Sequence, residues 1–365
     1  MPYFQLEGRH RWSKQRSRQK KMPGQFIMRA DAAPNIGAGH LMRCLALAQA
    51  LRTTGYSVTF IAHCESKALH QRLLDRGFQV IPLKYHHPEP VDWQTTSEVL
   101  QSFQDAWLVL DGYHFDSAYQ HQIKDGGHRL LVIDDMAHLD RYYADIVVNQ
   151  NLNAQRLDYA AEPFTRFLLG PRYALLRPDF LNWLECKRRI PPVAQKVLIT
   201  LGGGDDQNQT LRVIRALQNM QIDGLEAAVV VGPANPHLTA LKSEADQSQF
   251  PIRLAYNAAN MPELMGWADL AISAGGSTCW ELAFLGVPTL AIILADNQQA
   301  IAEGLEEEGV AVNLGGYGHL SNEIIARKLI EIANAANTRA QMSQRGRKLI
   351  DGQGTARVLK DLLLK

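Results

Sequence analysis

The chain has 365 residues, 46% of them hydrophobic and 21% charged, a globular composition that excludes a disordered or fibrous protein and makes two domains the expected number. Its 38 Lys+Arg and 37 Asp+Glu leave a formal charge of +1, which excludes a polycation built for nucleic acid. The charge is uneven: residues 1–24 carry seven basic side chains and one acid, Glu7, for +6, and the remaining 31 basic and 36 acidic residues leave −5. Four widely spaced cysteines, Cys44, Cys64, Cys186 and Cys279, form no C-x-x-C pair and are expected to be buried thiols of a reducing compartment. There is no apolar run of about 18 residues, and no apolar segment follows the basic N-terminus, so neither stable membrane insertion nor secretion is expected, and the protein is placed in the cytoplasm. The basic segment itself, closed by Pro23-Gly24, is expected to be a solvated tail. An RNA-binding or membrane-touching arm is the alternative.

From Gln25 onward, short β-branched runs alternate with amphipathic helical stretches, the signature of parallel α/β architecture. In the first half, strands are expected at Gln25–Ala32, Ser57–His63, Trp107–Tyr113, Arg129–Asp135 and Ile146–Asn151. A helix is expected over His40–Thr53, with Leu41, Cys44, Leu45 and Ala48 on its apolar face and Gly55 as its stop. Cys186–Gln195 has the composition of a linker. Beyond it a second series reads Lys196–Leu201, Ala227–Val231, Ile252–Tyr256, Leu270–Ala274 and Thr289–Leu294. Residues from about Ser321 read as helix, broken near Asp351–Thr355. The expected organisation is a tail over 1–24, a Rossmann-like domain over 25–190 and a second over 191–365. A cleft lies between the two domains, and the last helices are available to pack back on the first.

Open parallel sheets bind ligands at the carboxyl ends of their strands, so those loops are the candidate sites. After the first strand comes N-I-G-A-G-H, Asn35–His40. Gly37 and Gly39 allow a tight turn and close backbone approach. His40 opens the helix, where the helix terminus disfavours an imidazolium, so it is expected to be neutral and able to accept a proton. The alternative is an ordinary helix-start residue. A dinucleotide fingerprint would need glycine where Met42 stands. After Leu270–Ala274 the chain reads S-A-G-G-S-T-C-W-E. There Gly276, Ser277 and Thr278 suit a diphosphate, and Glu281, one helical turn after Ser277, can accept both hydroxyls of a ribose. The alternative is a turn capped by Ser277 with an exposed Glu281. A third cluster, L-G-G-G-D-D at Leu201–Asp206, lacks the G-K-[ST] of an ATP loop but allows Gly203 and Gly204 to approach a phosphate or sugar. Asp205 and Asp206 are expected to cap a helix. Neither they, nor Asp134, Asp135 and His138, nor His86 and His87 make a ligand set for zinc, so no metal is expected. Asp111 and Tyr113 fall at the rim of the first sheet, and Asp296, Asn297 and Gln298 at the rim of the second.

Taken together, Arg29–Ala48, Leu110–Tyr113, Leu201–Asp205, Ile272–Pro288 and Asp296–Gln298 resemble the UDP-sugar hydrolases of the pseudaminic acid pathway, relatives of the GT-B N-acetylglucosaminyltransferase of peptidoglycan assembly. The resemblance implies a GT-B fold of two Rossmann-like domains. It also implies hydrolysis of UDP-2,4-diacetamido-2,4,6-trideoxy-β-L-altropyranose to UDP and the free sugar, with inversion and without metal or other cofactor, by a monomer with no nucleic-acid partner. It implies His40 as the group that activates water and Tyr113 and Asn297 as cleft residues around sugar and water. Glu281 would hold the ribose, the turn Gly276–Thr278 the diphosphate, and backbone near Asn260 and Met261 the uracil. The open alternatives are a GT-B glycosyltransferase with a UDP-amino-sugar donor and a non-catalytic nucleotide-sugar binding protein.

Overall fold

The computed structural model describes residues 24–33, 36–103 and 105–364. The basic tail up to residue 23, and Asn35 of the first glycine loop, lie outside the described residues. Thirteen strands among the described residues form two parallel sheets. The first contains β1 (Gln25–Ala30), β2 (Ser57–Ala62), β3 (Gln79–Pro82), β4 (Trp107–Asp111), β5 (Arg129–Ile133), β6 (Ile146–Asn149) and β7 (Arg166–Leu169), in the order β3-β2-β1-β4-β5-β6-β7. The second contains β8 (Lys196–Thr200), β9 (Glu226–Val231), β10 (Ile252–Tyr256), β11 (Leu270–Ala274), β12 (Thr289–Ile293) and β13 (Ala311–Gly316), in the order β10-β9-β8-β11-β12-β13. Both sheets are covered by helices on each face. That is why their central strands, such as Phe26-Ile27-Met28 and Ala271-Ile272, read as unbroken apolar runs and not as an alternation.

Each sheet reverses its strand order once, between β1 and β4 and between β8 and β11. Residues leaving those strands diverge to opposite faces, which opens a crevice at the carboxyl edge. The register sets Ala30 beside Asp111 in the first sheet and Thr200 beside Ser273 in the second. The glycine loops after β1, β8 and β11 therefore start at the two switch points.

Several strands stop one or two residues before the apolar pattern ends: β1 at Ala30, β2 at Ala62, β4 at Asp111, β5 at Ile133. The residues beyond them, including Asp31, Asp134 and Asp135, are still buried but have left the ladder for the rim. Three strands that carry no strand signal, β3, β7 and β13, are all at sheet edges. They are short or half-exposed and contain Pro82, Arg166 or Gly315-Gly316.

Helix α1 (Gly39–Thr53) ends at Gly55, where φ is +92°, a left-handed position that glycine takes without strain. It is buried on nearly all sides, not on one face as its pattern suggests. The reason is the terminal helix, Gly354–Leu363, which lies against α1 and sends Val358, Leu359 and Leu362 into the core of the first sheet. Packing passes to the second domain around Ala174–Phe180: Leu175 belongs to the first core, Leu176 and Phe180 to the second. That is upstream of Cys186–Gln195. Among the described residues no helix is long and apolar enough to cross a membrane.

Candidate active site

The carboxyl edge of the first sheet carries a row of buried polar groups. Asp111, the last residue of β4, is fully buried and lies beneath the start of α1. His40 Nδ1 meets its Oδ1 at 2.6 Å, and Arg43, one turn further along α1, grips both carboxylate oxygens from Nε (2.6 Å) and Nη2 (2.7 Å). The Cys44 thiol adds a contact at 3.7 Å. Burial alone would raise the Asp111 carboxyl, but Arg43 and His40 hold it well below the usual carboxylate range. An ionised Asp111 fixes the proton of His40 on Nδ1 and leaves the lone pair on Nε2. His40 is only 6% exposed, so that lone pair is held in one direction by packing.

Arg43 continues to Asp135, with Nη1 at 2.9 Å from Oδ1. Asn151 donates to the same oxygen at 2.9 Å, and the Tyr113 hydroxyl donates to Oδ2 at 2.6 Å. Tyr113 also accepts a hydrogen bond from Asn297 Nδ2 at 3.0 Å, across the space between the domains. Its ring stands edge-on to His40, with centroids 4.7 Å apart. Burial and the Asp135 carboxylate push the Tyr113 phenol up, so it stays protonated with its proton committed to Asp135. His40, Tyr113 and Asn297, drawn from three distant parts of the chain, thus meet at one place.

Next to this row Asp31 accepts from Arg29 Nη2 (2.9 Å), the His63 backbone N–H (2.7 Å) and His114 Nε2 (2.8 Å), while Arg29 also binds Asp92. Asp134, adjacent in sequence to Asp135, points elsewhere. It accepts from the hydroxyls of Tyr142 (2.9 Å) and Tyr159 (2.7 Å) and from the backbone of Met136 and Ala137, and so pins the loop.

The glycine loops of the two domains approach each other. A Cβ on Gly39 would lie 3.7 Å from Ser277 Oγ, and one on Gly203 would lie 3.1 Å from the Ala38 Cβ. Gly276 faces open space, and the Ser277 hydroxyl makes no cap, so both remain open to a ligand. Gly37, at φ +80°, makes the turn that brings His40 to the rim. Gly204 lies beside the Asp206 carboxylate. Asp205 accepts from the backbone N–H of Gln209 (2.7 Å) and Thr210 (2.8 Å), at the start of the helix Gln209–Gln218.

Glu281 is not exposed. Its Oε1 takes two hydrogen bonds from Arg177, at 3.2 Å from Nε and 3.0 Å from Nη2, and among the described residues its Oε2 makes no hydrogen bond to a side chain. Burial raises the Glu281 carboxyl, and Arg177 works against that rise. The Met261 side chain is buried in the second core, so only its backbone can reach a ligand. Gln298 Oε1 accepts from the Leu294 backbone at 2.9 Å, which leaves only its amide nitrogen for a ligand. Among the described residues no group of three His, Cys, Asp or Glu is placed to hold a metal ion.

Arg29 and Arg43 fall within Arg29–Ala48 and Asp135 beside Asp134, but no spacing singles out their role, and Arg177 carries no motif. A signal for Arg43 exists: a charged residue three positions after His40, within the apolar run Leu41–Ala48 of Leu, Met, Cys and Ala, must find a buried partner.

Residues 196–354 match the Glycosyltransferase family 28 C-terminal domain. The chain is 26% identical over 338 residues to the spore coat polysaccharide biosynthesis protein SpsG of Bacillus subtilis, covering 91% of this chain and 97% of that protein. It is 26% identical over 206 residues to the pseudaminic acid cytidylyltransferase and UDP-2,4-diacetamido-2,4,6-trideoxy-beta-L-altropyranose hydrolase of Helicobacter pylori, covering 56% of this chain and 37% of that longer protein. Among solved structures it resembles MurG of Acinetobacter baumannii, with a TM-score of 0.62 at 16% identity over 93% of this chain and 99% of that one. With its two parallel sheets, the chain has the GT-B glycosyltransferase fold, and residues 196–354 within it are similar to the family 28 C-terminal domain.

Proposed function

We propose that the chain hydrolyses UDP-2,4-diacetamido-2,4,6-trideoxy-β-L-altropyranose to UDP and the free 2,4-diacetamido sugar, by attack of water at the anomeric carbon with inversion, in nonulosonic (pseudaminic) acid biosynthesis in the cytoplasm. The observation that carries the proposal is the His40–Asp111 pair, directed at the space that Tyr113 and Asn297 close from the two domains. Water gives its proton to His40 Nε2 as its oxygen bonds to the anomeric carbon, and the bond to the UDP oxygen breaks. Asp111, kept ionised by Arg43, stabilises the imidazolium that forms. Tyr113 and Asn297 hold water and sugar in place. UDP needs no proton to leave, so one base suffices and no second carboxylate of glycosidase type is required. Backbone N–H groups of the turn Gly276–Thr278 receive the diphosphate, Gly37, Gly39, Gly203 and Gly204 line its approach, and Glu281 Oε2 takes the ribose. Gln298 offers its amide nitrogen to the sugar.

The family 28 match over residues 196–354 favours one rival, transfer of the sugar from the same donor to an acceptor. Incubation with the nucleotide sugar alone separates the two: release of UDP without acceptor is expected, and its absence refutes hydrolysis. In heavy-oxygen water the label should enter the sugar; label in UDP would mean attack at phosphorus. His40→Ala should bind UDP as the parent does and lose turnover. Unchanged turnover removes His40 as the base.

A further inference from the structure

Beside the His40 row, the carboxyl edge of the first sheet holds a second group of titratable side chains. His63 follows β2, His86 follows β3, and His114 follows β4 and adjoins Tyr113 in the chain. Their rings stack with His86 in the middle, its centroid 5.5 Å from that of His63 and 5.1 Å from that of His114, and Phe115 backs the stack at 4.1 Å from His114. One nitrogen of each ring is committed to an acceptor: His63 Nδ1 to the Leu83 carbonyl (3.2 Å), His86 Nδ1 to the His87 carbonyl (2.6 Å) and His114 Nε2 to the Asp31 carboxylate (2.8 Å). Carbonyls and an ionised carboxylate only accept, so those nitrogens carry the protons, and in a neutral ring the other nitrogen is a lone pair. Burial would raise the Asp31 carboxyl, but His114 and Arg29 hold it well below the usual carboxylate range. Burial also pushes the His114 imidazole down, against the pull of Asp31, which keeps it neutral. The lone pairs of His86 Nε2 and His114 Nδ1 have no hydrogen-bond partner among the described residues; His63 Nε2 stands 3.5 Å from the exposed Glu65 carboxylate. The rings of His63 and His114 are 15% and 17% exposed, so a ligand can reach the stack. Beneath it Asp31 and Asp92 share the single cation Arg29.

We infer that this imidazole stack is the specificity subsite for the half of the sugar remote from the diphosphate, with the open nitrogens of His86 and His114 accepting from the 3-hydroxyl and the 4-acetamido N–H and the ring faces covering the acetyl methyl. The inference rests on the donor proposed above, whose ring carries these two hydrogen-bond donors on adjacent carbons. His114 adjoins Tyr113, so the stack borders the reacting centre, while the diphosphate turn belongs to the other domain. Lone pairs set over an excess of carboxylates ask for a donor and turn away a carboxylate or phosphate. A site built to hydrogen-bond two substituents rejects a sugar that lacks them, because its acceptors are then left unpaired. The stack thus selects among sugars attached to the same nucleotide.

UDP release by the full chain from three nucleotide sugars tests this: the diacetamido donor, its 4-amino analogue, and a 2-acetamido-2,3,4,6-tetradeoxy analogue that lacks both hydrogen-bond donors. The parent should show a kcat/KM for the diacetamido donor about tenfold or more above that for either analogue. His86→Phe keeps a ring in the stack and removes its lone pair. It should lower kcat/KM for the diacetamido donor about tenfold, the worth of one buried hydrogen bond, through KM and not kcat. The tetradeoxy analogue and the affinity for UDP itself should be unchanged, so that the preference shrinks by the same factor. His114→Phe should reduce the same preference and serves if His86→Phe does not fold. A ratio between diacetamido and tetradeoxy donors that stays at the parent value in either folded variant overturns the inference and leaves the donor proposal intact. So does a 4-amino analogue used better than the diacetamido donor, which would make an ammonium the occupant. A parent protein that releases no UDP from the diacetamido donor overturns both.

Discussion

Replacing Asp111 by Asn changes one atom and removes the acceptor shared by His40 and Arg43. The amide cannot accept at both oxygen positions, so its NH2 group must face either Arg43 Nε, at 2.6 Å from Oδ2 in the parent, or, at the Oδ1 position, both His40 Nδ1 at 2.6 Å and Arg43 Nη2 at 2.7 Å. In the first case a buried arginine loses half its compensation. In the second the imidazole is driven to the tautomer whose lone pair points away from the cleft. Breaking a buried ion pair from one side costs about 3–5 kcal/mol of stability. Loss of the oriented tautomer should lower kcat roughly 100- to 10,000-fold, about 3–5 kcal/mol of barrier. UDP affinity should stay as it was, because Asp111 lies in the first domain, under α1. Urea unfolding, UDP release under saturating substrate and UDP titration separate the three effects. Because Arg43 and His40 hold the Asp111 carboxyl low in the folded state, its contribution is present above the unfolded value of about 3.9 and is lost as pH falls through the folded value. The stability gap between parent and variant should therefore be constant from about pH 7 to 5 and close only below about 4. A folded Asp111→Asn protein that binds UDP and turns over at the parent rate would refute His40 as a base aimed by this carboxylate.

The interdomain bond between Tyr113 and Asn297 predicts coupling. Tyr113→Phe and Asn297→Ala should each lower kcat about tenfold, and the double variant should fall short of the product by about 0.5–3 kcal/mol; independent effects would show that the pair does not act as a unit. Arg177→Met leaves Glu281 buried without its cation, so the already raised carboxyl rises further. Since the ionised form is the one that accepts ribose hydroxyls, UDP affinity in that variant should weaken more steeply than in the parent as pH falls from about 8 to 5.5. Superimposable pH profiles would remove Glu281 from the ribose site.

Much of this architecture is legible in the sequence because both sheets are covered on two faces. Central strands such as Val197-Leu198-Ile199 and Ala271-Ile272 then need apolar residues at every position. Three edge strands, β3, β7 and β13, escape notice because they are short or half-covered, whereas the edge strand β10 is read with its bounds as expected. Strand ends are read too long for a related reason: Asp31 and Asp135 are as buried as strand residues, and nothing local says that they have turned into the rim. His40 is readable as a candidate base from its place after a glycine loop, but not Asp111 as its partner, since 71 residues separate them and only the β1–β4 pairing joins them. Asp134 and Asp135 show the limit most clearly. They are neighbours of one type, yet one pins a loop through two tyrosines while the other carries Arg43, Tyr113 and Asn151. Arg177 acquires meaning only when it meets Glu281, 104 residues further along the chain.

The terminal helix has a consequence for the order of assembly. Domains ordinarily fold in the order they leave the ribosome, but here Val358, Leu359 and Leu362 complete the core around β1 and α1, the first elements made. Without the helix Gly354–Leu363 one side of α1 is bare, so the domain that holds His40 depends on a segment separated from it in sequence by the whole second sheet, whose six strands lie between Lys196 and Gly316.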